Sequence, residues 1–266
     1  MSSSYQHALT ASQPNDAVPP PPLLNTQHAL FLDFDGTLVE LAEQPQAVKL
    51  PADLLALLQR LQLQQRGALA IITGRTVDSL NDLLRPLQLP VAGEHGAAIY
   101  GPGGQLACDP TPDLGEIAQL LQDFVRTHKG LLLECKGHGL ALHYRGAPQL
   151  EADCLALATK FSRARPDLAV LQGKAVVELK SARVDKGRAL ETLMQSSPFL
   201  GRIPIFIGDD TTDEAAIIKA QALGGIGIKV GLGQSAAHYQ LPDPEHVLDF
   251  LRQSCADQPN QSTMLG

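Results

Sequence analysis

The sequence contains no apolar run that approaches the ~20 residues of a membrane-spanning helix. Positive charge is scarce as well, since 21 Lys and Arg residues stand against 28 Asp and Glu residues and leave a net charge of -7. An acidic chain of this kind disfavours nucleic acid and anionic membrane surfaces as partners. We therefore expect no nucleic acid and no membrane among its partners.

Cysteine is also rare, and its placement excludes the common metal-binding patterns. The four cysteines are Cys108, Cys135, Cys154 and Cys255. They form neither a Cys-x-x-Cys motif nor the paired spacing of a metal site. This usage indicates free thiols in a reducing compartment, so it predicts a cytoplasmic protein.

The two ends of the chain lack the features of folded or targeting segments. The first 26 residues have neither the basic region nor the apolar region of a signal peptide. They include four consecutive prolines at positions 19–22, which predicts a disordered, Pro-rich N-terminal arm over residues 1–26. The polar residues 253–266 predict a flexible tail.

The rest of the chain has the composition of a packed globular protein, with 44% hydrophobic and 18% charged residues. Buried strands alternate with amphipathic helices over residues 27–102 and again over residues 181–252. This alternation predicts an α/β fold with a Rossmann-like, doubly wound parallel sheet. Residues 103–180 instead show a helix followed by a hairpin, twice over. They predict a smaller α/β domain of order αββαββ, inserted between the two halves of the first.

The first buried strand ends in two carboxylates one residue apart, Asp33 and Asp35. Open α/β sheets bind ligands at the carboxyl ends of their strands. Two carboxylates there can hold a divalent cation, or one can act as a nucleophile while the other transfers protons. Gly36 permits a sharp turn, and Thr37 offers a hydroxyl and a backbone N–H to an anion. The alternative is that Asp35 only caps the segment that follows.

Other polar side chains follow later strands. Thr73 ends the second buried strand, Asp209 and Asp213 follow another, and Lys186 opens a helix between them in the sequence. Because the carboxyl ends of parallel strands meet at one edge of a sheet, we expect these groups to converge. Four carboxylates in one crevice repel each other unless a cation neutralises them, which implies Mg²⁺. A lysine and a threonine hydroxyl beside them suit a phosphoryl group.

Strand alternation in the inserted domain predicts one polar sheet face. The residues that share it are Glu134, Lys136, His143, Arg145 and Glu178. Antiparallel sheets often expose such a face to water, so a solvated outer face is one interpretation. A face turned towards the carboxylate crevice is the other.

Four segments together resemble, in their order and spacing, the four motifs of the haloacid dehalogenase superfamily of phosphatases. They are Asp33-Phe34-Asp35-Gly36-Thr37, Thr73-Gly74-Arg75, Lys186 and Gly208-Asp209-Asp210-Thr211-Thr212-Asp213. The segment Gly93-Glu94-His95-Gly96 and the inserted domain further resemble the trehalose-6-phosphate phosphatases within that superfamily. The likeness extends over about residues 28 to 250.

The resemblance implies a role for each polar residue of the crevice. Asp33 is expected to be the nucleophile that takes the phosphoryl group, and Asp35 the general acid and base. Thr73 and Lys186 are expected to hold the phosphoryl oxygens, and Lys186 also to orient Asp33. The implied Mg²⁺ ligands are Asp33, Asp35 through its backbone carbonyl, and Asp209, with Asp213 in support.

The resemblance also implies that the inserted domain is a lid that recognises a sugar through Glu134, Lys136 and Glu178. The full set of candidate substrate-binding residues is Gly74, Arg75, His95, Glu134, Lys136, Arg145 and Glu178.

Three of these residues keep simpler alternatives. Arg75 opens a helix, where an arginine is as often a surface residue. His95 can lie near the crevice without substrate contact. Arg145 can merely solvate the sheet.

The implied function is a Mg²⁺-dependent phosphatase that hydrolyses trehalose 6-phosphate through an aspartyl-phosphate intermediate, and we expect a monomer. A phosphatase for another sugar phosphate shares the same core chemistry, so only the lid separates the two. A phosphomutase uses a similar aspartyl phosphate, but this lid resembles one that closes over a disaccharide. A non-catalytic sugar-phosphate sensor needs the binding groups but has no need of Asp35.

Overall fold

The computed structural model describes residues 19–42 and 47–256, and within these ranges the chain forms two β-sheets and seven α-helices. The strands of the large sheet are β1 (His28–Leu32), β2 (Leu69–Ile72), β3 (Val91–Gly93), β4 (Ala98–Gly101), β5 (Gly104–Cys108), β10 (Ile203–Gly208), β11 (Ile226–Val230) and β12 (Tyr239–Leu241). Those of the small sheet are β6 (Leu132–Cys135), β7 (Gly139–His143), β8 (Leu168–Gly173) and β9 (Val176–Ser181). The helices are α1 (Leu54–Gln64), α2 (Val77–Leu84), α3 (Gly115–Thr127), α4 (Glu151–Ala164), α5 (Lys186–Met194), α6 (Glu214–Ala222) and α7 (Pro244–Ala256).

The large sheet has the strand order β12-β11-β10-β1-β2-β3-β4-β5, so β1 lies near its middle. All neighbouring strands from β12 to β3 are parallel, and β4 and β5 add an antiparallel edge. Side chains of β1 alternate between the two faces. Leu30 and Leu32 pack with α1, α2 and α7, whereas Ala29 and Phe31 pack with α5 and α6. Helices therefore cover both faces, which confirms the doubly wound α/β fold.

The small sheet is antiparallel throughout, with the order β6-β7-β9-β8. Its apolar face packs against α3 and α4, where Leu142 and Leu179 of the strands meet Leu121 and Ala158 of the helices. This is the expected αββαββ arrangement. We call β6–β9 with α3 and α4 the cap, and the large sheet with its five helices the core.

The boundaries differ from those expected at the first crossing between core and cap. Residues 104–108 form β5 and extend the large sheet, although the sequence placed them in the inserted domain from residue 103. The side chains of β5 are mostly exposed, because it is an edge strand, so it carries no buried apolar run. The inserted domain therefore begins after Cys108.

The ends of the chain also contain more structure than expected. In the arm predicted over residues 1–26, Leu24 is 2% exposed and packs into the core, and its N–H donates to Ser254 Oγ. Helix α7 continues to Ala256, so residues 253–256 are helical rather than part of a flexible tail. Residues 1–18 and 257–266 lie outside the described part of the chain. Across residues 19–42 and 47–256, no helix combines the length and apolar character needed to cross a membrane.

Candidate active site

The crevice at the carboxyl edge of the large sheet is centred on a buried lysine. Lys186 is the first residue of α5, which is capped by the side chain of Asp185. Its Nζ donates to Asp33 Oδ1 at 2.7 Å and to Asp213 Oδ1 at 2.6 Å. Asp33 directly follows β1, and its N–H donates to the carbonyl of Ile207 in β10. The parallel sheet thus brings three residues that are distant in sequence into one ion-paired group.

Burial and mutual repulsion shape the charges in this group. Burial raises the pKa of Asp33 well above its ordinary value, and although Lys186 opposes this, the neighbouring Asp213 and Asp209 add to it. Burial also raises the pKa of Asp209. Burial favours the neutral form of Lys186, but the carboxylates of Asp213 and Asp33 outweigh it and raise its pKa. The lysine is therefore charged at neutral pH, whereas burial and mutual repulsion disfavour the ionised forms of Asp33 and Asp209.

The acidic group fits a divalent cation. Three carboxylate oxygens, one from each of Asp33, Asp209 and Asp213, lie within 4.8 Å of one another. Carboxylate oxygens are the ligands that Mg²⁺ prefers in proteins. Asp213 is fully buried, with its two oxygens held by Lys186 and by the N–H of Asp210, whereas Asp33 and Asp209 reach the surface of the crevice. Asp33 and Asp209 are thus the better candidates for direct ligands, and Asp213 is placed to support them.

Two glycines allow these carboxylates to sit against the backbone. Gly36 has a φ of +84°, and a Cβ at this position would lie 2.5 Å from the carboxyl carbon of Asp209. A Cβ at Gly208 would lie 2.6 Å from Asp213 Oδ2. Both distances are too short for non-bonded atoms, so a side chain at either position would displace a carboxylate.

Asp35 lies beside the group but has a different partner. Its carboxylate accepts hydrogen bonds from Arg75 Nε at 2.6 Å and from Arg75 Nη2 at 2.7 Å. The guanidinium of Arg75 also lies 5.5 Å from the centre of the Phe34 ring, and the whole side chain is 8% exposed. The surface alternative for Arg75 is therefore wrong, and the structure places it against Asp35.

The loop after β2 supplies the other side of the crevice. Thr73 is buried, and its Oγ1 accepts a hydrogen bond from the N–H of Arg75. The carbonyl of Gly74 accepts a hydrogen bond at 2.9 Å from Lys136 Nζ of the cap. A Cβ at Gly74 would lie 2.7 Å from the ring of His95. This loop therefore contacts the cap and the segment after β3 at once.

The polar face of the cap sheet is turned towards the crevice. Lys136 Nζ donates to Glu178 Oε1 at 2.9 Å, and Glu178 Oε2 lies 3.0 Å from His95 Nε2. Burial would raise the pKa of Glu178, but Lys136 and His95 outweigh it and hold this pKa well below its ordinary value. Burial lowers the pKa of His95 although Glu178 opposes it. Glu134 pairs with His143 on the same face, at 2.9 Å.

Two contacts between cap and core had no signal in the sequence. Glu94 and His95 have φ values of +48° and +60°, which non-glycine residues rarely adopt. The carboxylate of Glu94 accepts a hydrogen bond at 2.6 Å from the N–H of His138, in the turn between β6 and β7. In the turn between β8 and β9, Lys174 Nζ lies 2.5 Å from Asp209 Oδ2, and Arg145 donates to the carbonyl of Lys174.

One cavity joins these groups. The core side of its lining includes Asp33, Asp35, Thr73, Gly74, Arg75, His95, Lys186 and Asp209, and the cap side includes Glu134, Lys136, His143, Arg145, Lys174 and Glu178. Asp213 is fully buried and does not appear in the lining. The structure therefore brings every other predicted site residue to one cavity between core and cap.

Comparison with known proteins agrees with this arrangement. The family model for trehalose-phosphatase matches residues 31–245. The trehalose-6-phosphate phosphatase of Escherichia coli K12 is 39% identical over 232 residues, covering 86% of this chain and 87% of that protein. A probable trehalose-phosphate phosphatase of Sinorhizobium fredii is 43% identical over 206 residues, covering 76% and 77% of the two chains.

Solved structures share the fold at lower identity. The C-terminal domain of the C. albicans trehalose-6-phosphate phosphatase superimposes with a TM-score of 0.78 at 21% identity, covering 87% of this chain and 93% of that one. A haloacid dehalogenase-like hydrolase from Bacteroides thetaiotaomicron gives a TM-score of 0.61 at 18% identity, covering 84% and 98%. The doubly wound core, its carboxylate crevice and the inserted cap define a phosphoric monoester hydrolase with the haloacid dehalogenase fold. Within that class, the chain belongs to the trehalose-phosphatase family.

Proposed function

We propose that this protein is a Mg²⁺-dependent phosphatase that hydrolyses trehalose 6-phosphate to trehalose and phosphate. The observation that carries the proposal is the shared cavity, in which the Asp33–Lys186 pair of the core faces the Lys136–Glu178 pair of the cap. A nucleophile beside a fixed positive charge suits a phosphoryl group. A paired carboxylate and ammonium opposite them suit the hydroxyl groups of a sugar.

The proposed reaction has two steps. An oxygen of the Asp33 carboxylate attacks the phosphorus, and the bond from phosphorus to the sugar oxygen breaks. That oxygen leaves with the bonding electron pair and takes a proton from the carboxyl group of Asp35. A water molecule then gives a proton to the Asp35 carboxylate, and its oxygen attacks the phosphorus of the phosphorylated Asp33. The bond from phosphorus to the Asp33 oxygen breaks, so Asp33 leaves as a carboxylate and phosphate is released.

The contacts of the core residues support these roles. Lys186 fixes Asp33 through a 2.7 Å hydrogen bond and adds positive charge where phosphoryl oxygens would lie. Thr73 lines the cavity and supplies a hydroxyl for the same oxygens. Arg75 holds both oxygens of Asp35, so we assign it to the positioning of the general acid and base rather than to direct sugar contact.

Asp33, Asp209 and the backbone carbonyl of Asp35 would hold the Mg²⁺, with Asp213 in support. When bound, the ion would neutralise the carboxylates and allow a phosphate dianion to approach them. The raised pKa of Asp33 supports this assignment, because burial and the neighbouring Asp213 and Asp209 disfavour its ionised form, and a bound cation would relieve both effects.

The cap is proposed to recognise the sugar. Glu178 and Lys136 are held in one geometry by each other and by His95. They would therefore offer hydrogen bonds to a sugar from fixed positions. Glu134 lines the same cavity beside His143, and the exposed Arg145 lines it as well. His95 and Gly74 contact these cap residues from the core, which makes the recognition site dependent on the cap lying against the core.

The proposed site is complete without residues from a second copy, and we propose that the protein acts as a monomer. We also propose a cytoplasmic location, and the free state of Cys108, Cys135, Cys154 and Cys255 fits a reducing compartment of this kind.

The test is phosphate release from a substrate panel, measured with Mg²⁺ and with excess chelator. The panel contains trehalose 6-phosphate, a second disaccharide phosphate, glucose 6-phosphate and an aryl phosphate. We expect the highest kcat/KM on trehalose 6-phosphate and loss of turnover in chelator. Full activity in chelator would refute the cation-dependent mechanism, and a preference for glucose 6-phosphate would refute the substrate.

The variant Asp33→Asn provides the control for the nucleophile. It keeps the side-chain volume and removes the attacking oxygen, so turnover should vanish while the circular dichroism spectrum is unchanged. Product formation at a rate comparable with that of the unmodified protein would place the nucleophile elsewhere.

A further inference from the structure

Lys174 makes a contact that the proposed reaction does not use. It lies in the turn between β8 and β9, at the tip of a cap hairpin, and its Nζ is 2.5 Å from Asp209 Oδ2. The side chain of Lys174 is 50% exposed, whereas that of Asp209 is 3% exposed. A lysine of the cap therefore reaches a buried carboxylate of the core.

The hairpin tip is held in this position by more than one contact. Thr211 Oγ1, in the short turn after β10, donates to the carbonyl of Gln172. Gly173 packs so closely on the same turn that a Cβ there would lie 3.2 Å from Asp210 Oδ2. Ala175 has a φ of +63°, which gives the turn its tight reversal. The hairpin thus delivers the ammonium of Lys174 to one carboxylate of the core.

The other oxygen of Asp209 faces inwards, where Thr37 Oγ1 donates to Oδ1 at 3.4 Å. Asp209 is one of the two carboxylates best placed to bind the cation directly. An ammonium at hydrogen-bond distance from this carboxylate and a divalent cation bound to it repel each other strongly across a few ångströms. The two positive charges therefore compete for Asp209.

We propose that Lys174 is a cation-displaced latch, in which the ammonium holds the cap hairpin on Asp209 and Mg²⁺ releases it by taking that carboxylate. This inference rests on the proposed function through the assignment of Asp209 as a cation ligand. Binding of the cation is then coupled to release of the cap hairpin. Mg²⁺ weakens the contact of Lys174 with Asp209, and Lys174 weakens the binding of Mg²⁺ to Asp209 by the same factor.

The first measurement is cation affinity, by calorimetric titration of the full-length protein with Mg²⁺. Lys174→Met removes the competitor and should bind the ion about ten-fold more tightly, the order expected for loss of one charge-assisted hydrogen bond. Lys160→Met, on the exposed side of α4, removes the same charge from the cap away from the crevice and should bind as the unmodified protein does.

The second measurement is the reactivity of the Lys174 amine towards an amine-acylating reagent, followed by peptide mass spectrometry. Acylation of Lys174 should rise when Mg²⁺ replaces chelator, while acylation of Lys160 stays constant. The latch would be overturned if Lys174→Met and the unmodified protein bind Mg²⁺ with equal affinity. It would also be overturned if acylation of Lys174 is the same in Mg²⁺ and in chelator.

The variant Asp209→Asn separates this inference from the proposed function. If Mg²⁺ binds to the unmodified protein and not to Asp209→Asn, the cation site stands, and the Lys174 results alone decide the latch. If Mg²⁺ binding is absent from the unmodified protein, or survives in Asp209→Asn, both the latch and the assigned cation site are wrong.

Discussion

Replacing Gly36 by alanine tests whether the position of Asp209 is set by the missing side chain opposite it. Gly36 has a φ of +84°, and its Cβ would lie 2.5 Å from the carboxyl carbon of Asp209 and 2.8 Å from Oδ1. Because non-bonded heavy atoms keep more than 3 Å apart in such contacts, the carboxylate has to move. Gly36 follows Asp35 directly and belongs to the turn after β1, which β2 and β10 hold on both sides.

Two separate effects follow from this substitution. A left-handed backbone costs a residue with a Cβ about 1–2 kcal/mol, which corresponds to a Tm lower by about 2–8 °C for a chain of this size. Displacement of Asp209 adds a loss of activity, since a misplacement of about 1 Å at a reacting site costs about 10²-fold in rate. We therefore expect a modest loss of stability and a large loss of kcat.

Gly201→Ala is the matched control. Gly201 has a φ of +78° and nothing within 4 Å of its Cβ position, so alanine there meets the same backbone penalty without a clash. Thermal denaturation followed by circular dichroism should give a lower Tm in both variants, with the larger loss in Gly36→Ala, where a buried carboxylate also has to move. Phosphate release under saturating Mg²⁺ should fall only in Gly36→Ala. If Gly36→Ala keeps full activity, or if both variants lose it equally, the close packing of Gly36 on Asp209 does not set the site.

Two further predictions concern Asp35 and the cap. Asp35→Asn should slow hydrolysis of the sugar phosphate by about 10²–10⁴-fold, since the sugar oxygen leaves only with a proton. On an aryl phosphate the first step of this variant should keep nearly its full rate, so rapid-quench kinetics should show a burst of phenolate followed by slow turnover. If there is no burst, and the first step slows equally on both substrates, Asp35 only places the cation. Glu178→Ala should raise KM for the disaccharide phosphate far more than for the aryl phosphate, with Glu116→Ala, an exposed residue of α3, as its control. Equal losses on both substrates would remove Glu178 from the recognition site.

The convergence of the core residues was predictable because it depends on topology alone. Asp33, Thr73 and Asp209 lie far apart in sequence, but each follows a buried parallel strand, and such strands end at one edge of the sheet. The polar face of the cap was predictable for a similar reason, because alternation fixes which residues share a face. Lys136, directly after β6, and Glu178, in β9, therefore share one face of the cap sheet, although β7 lies between these two strands.

The sequence did not predict the contacts between elements that are distant in sequence, because these depend on how the elements pack together. Strand β12 has three residues and no apolar run, so its pairing with β11 carries no local pattern. The partner of Arg75 was missed because a carboxylate 40 residues away in sequence gives no periodic signal. Lys174 is a single lysine in a hairpin turn, and only the position of the cap on the core brings it to Asp209. Pairings of this kind follow from tertiary packing rather than from local propensity.

The cap and the core keep separate hydrophobic interiors. Among the described residues, the apolar cluster of the cap is drawn only from positions 114–179, and the two clusters of the core take none from that range. Hydrogen bonds and ion pairs join the two parts at the cavity, including those of Lys136 with Gly74 and of His95 with Glu178. Separation of the cap from the core would expose charged and hydrogen-bonding groups but little apolar surface. Since a large positive heat-capacity change requires apolar exposure, opening of the cap should carry only a small heat-capacity change, unlike unfolding of either part.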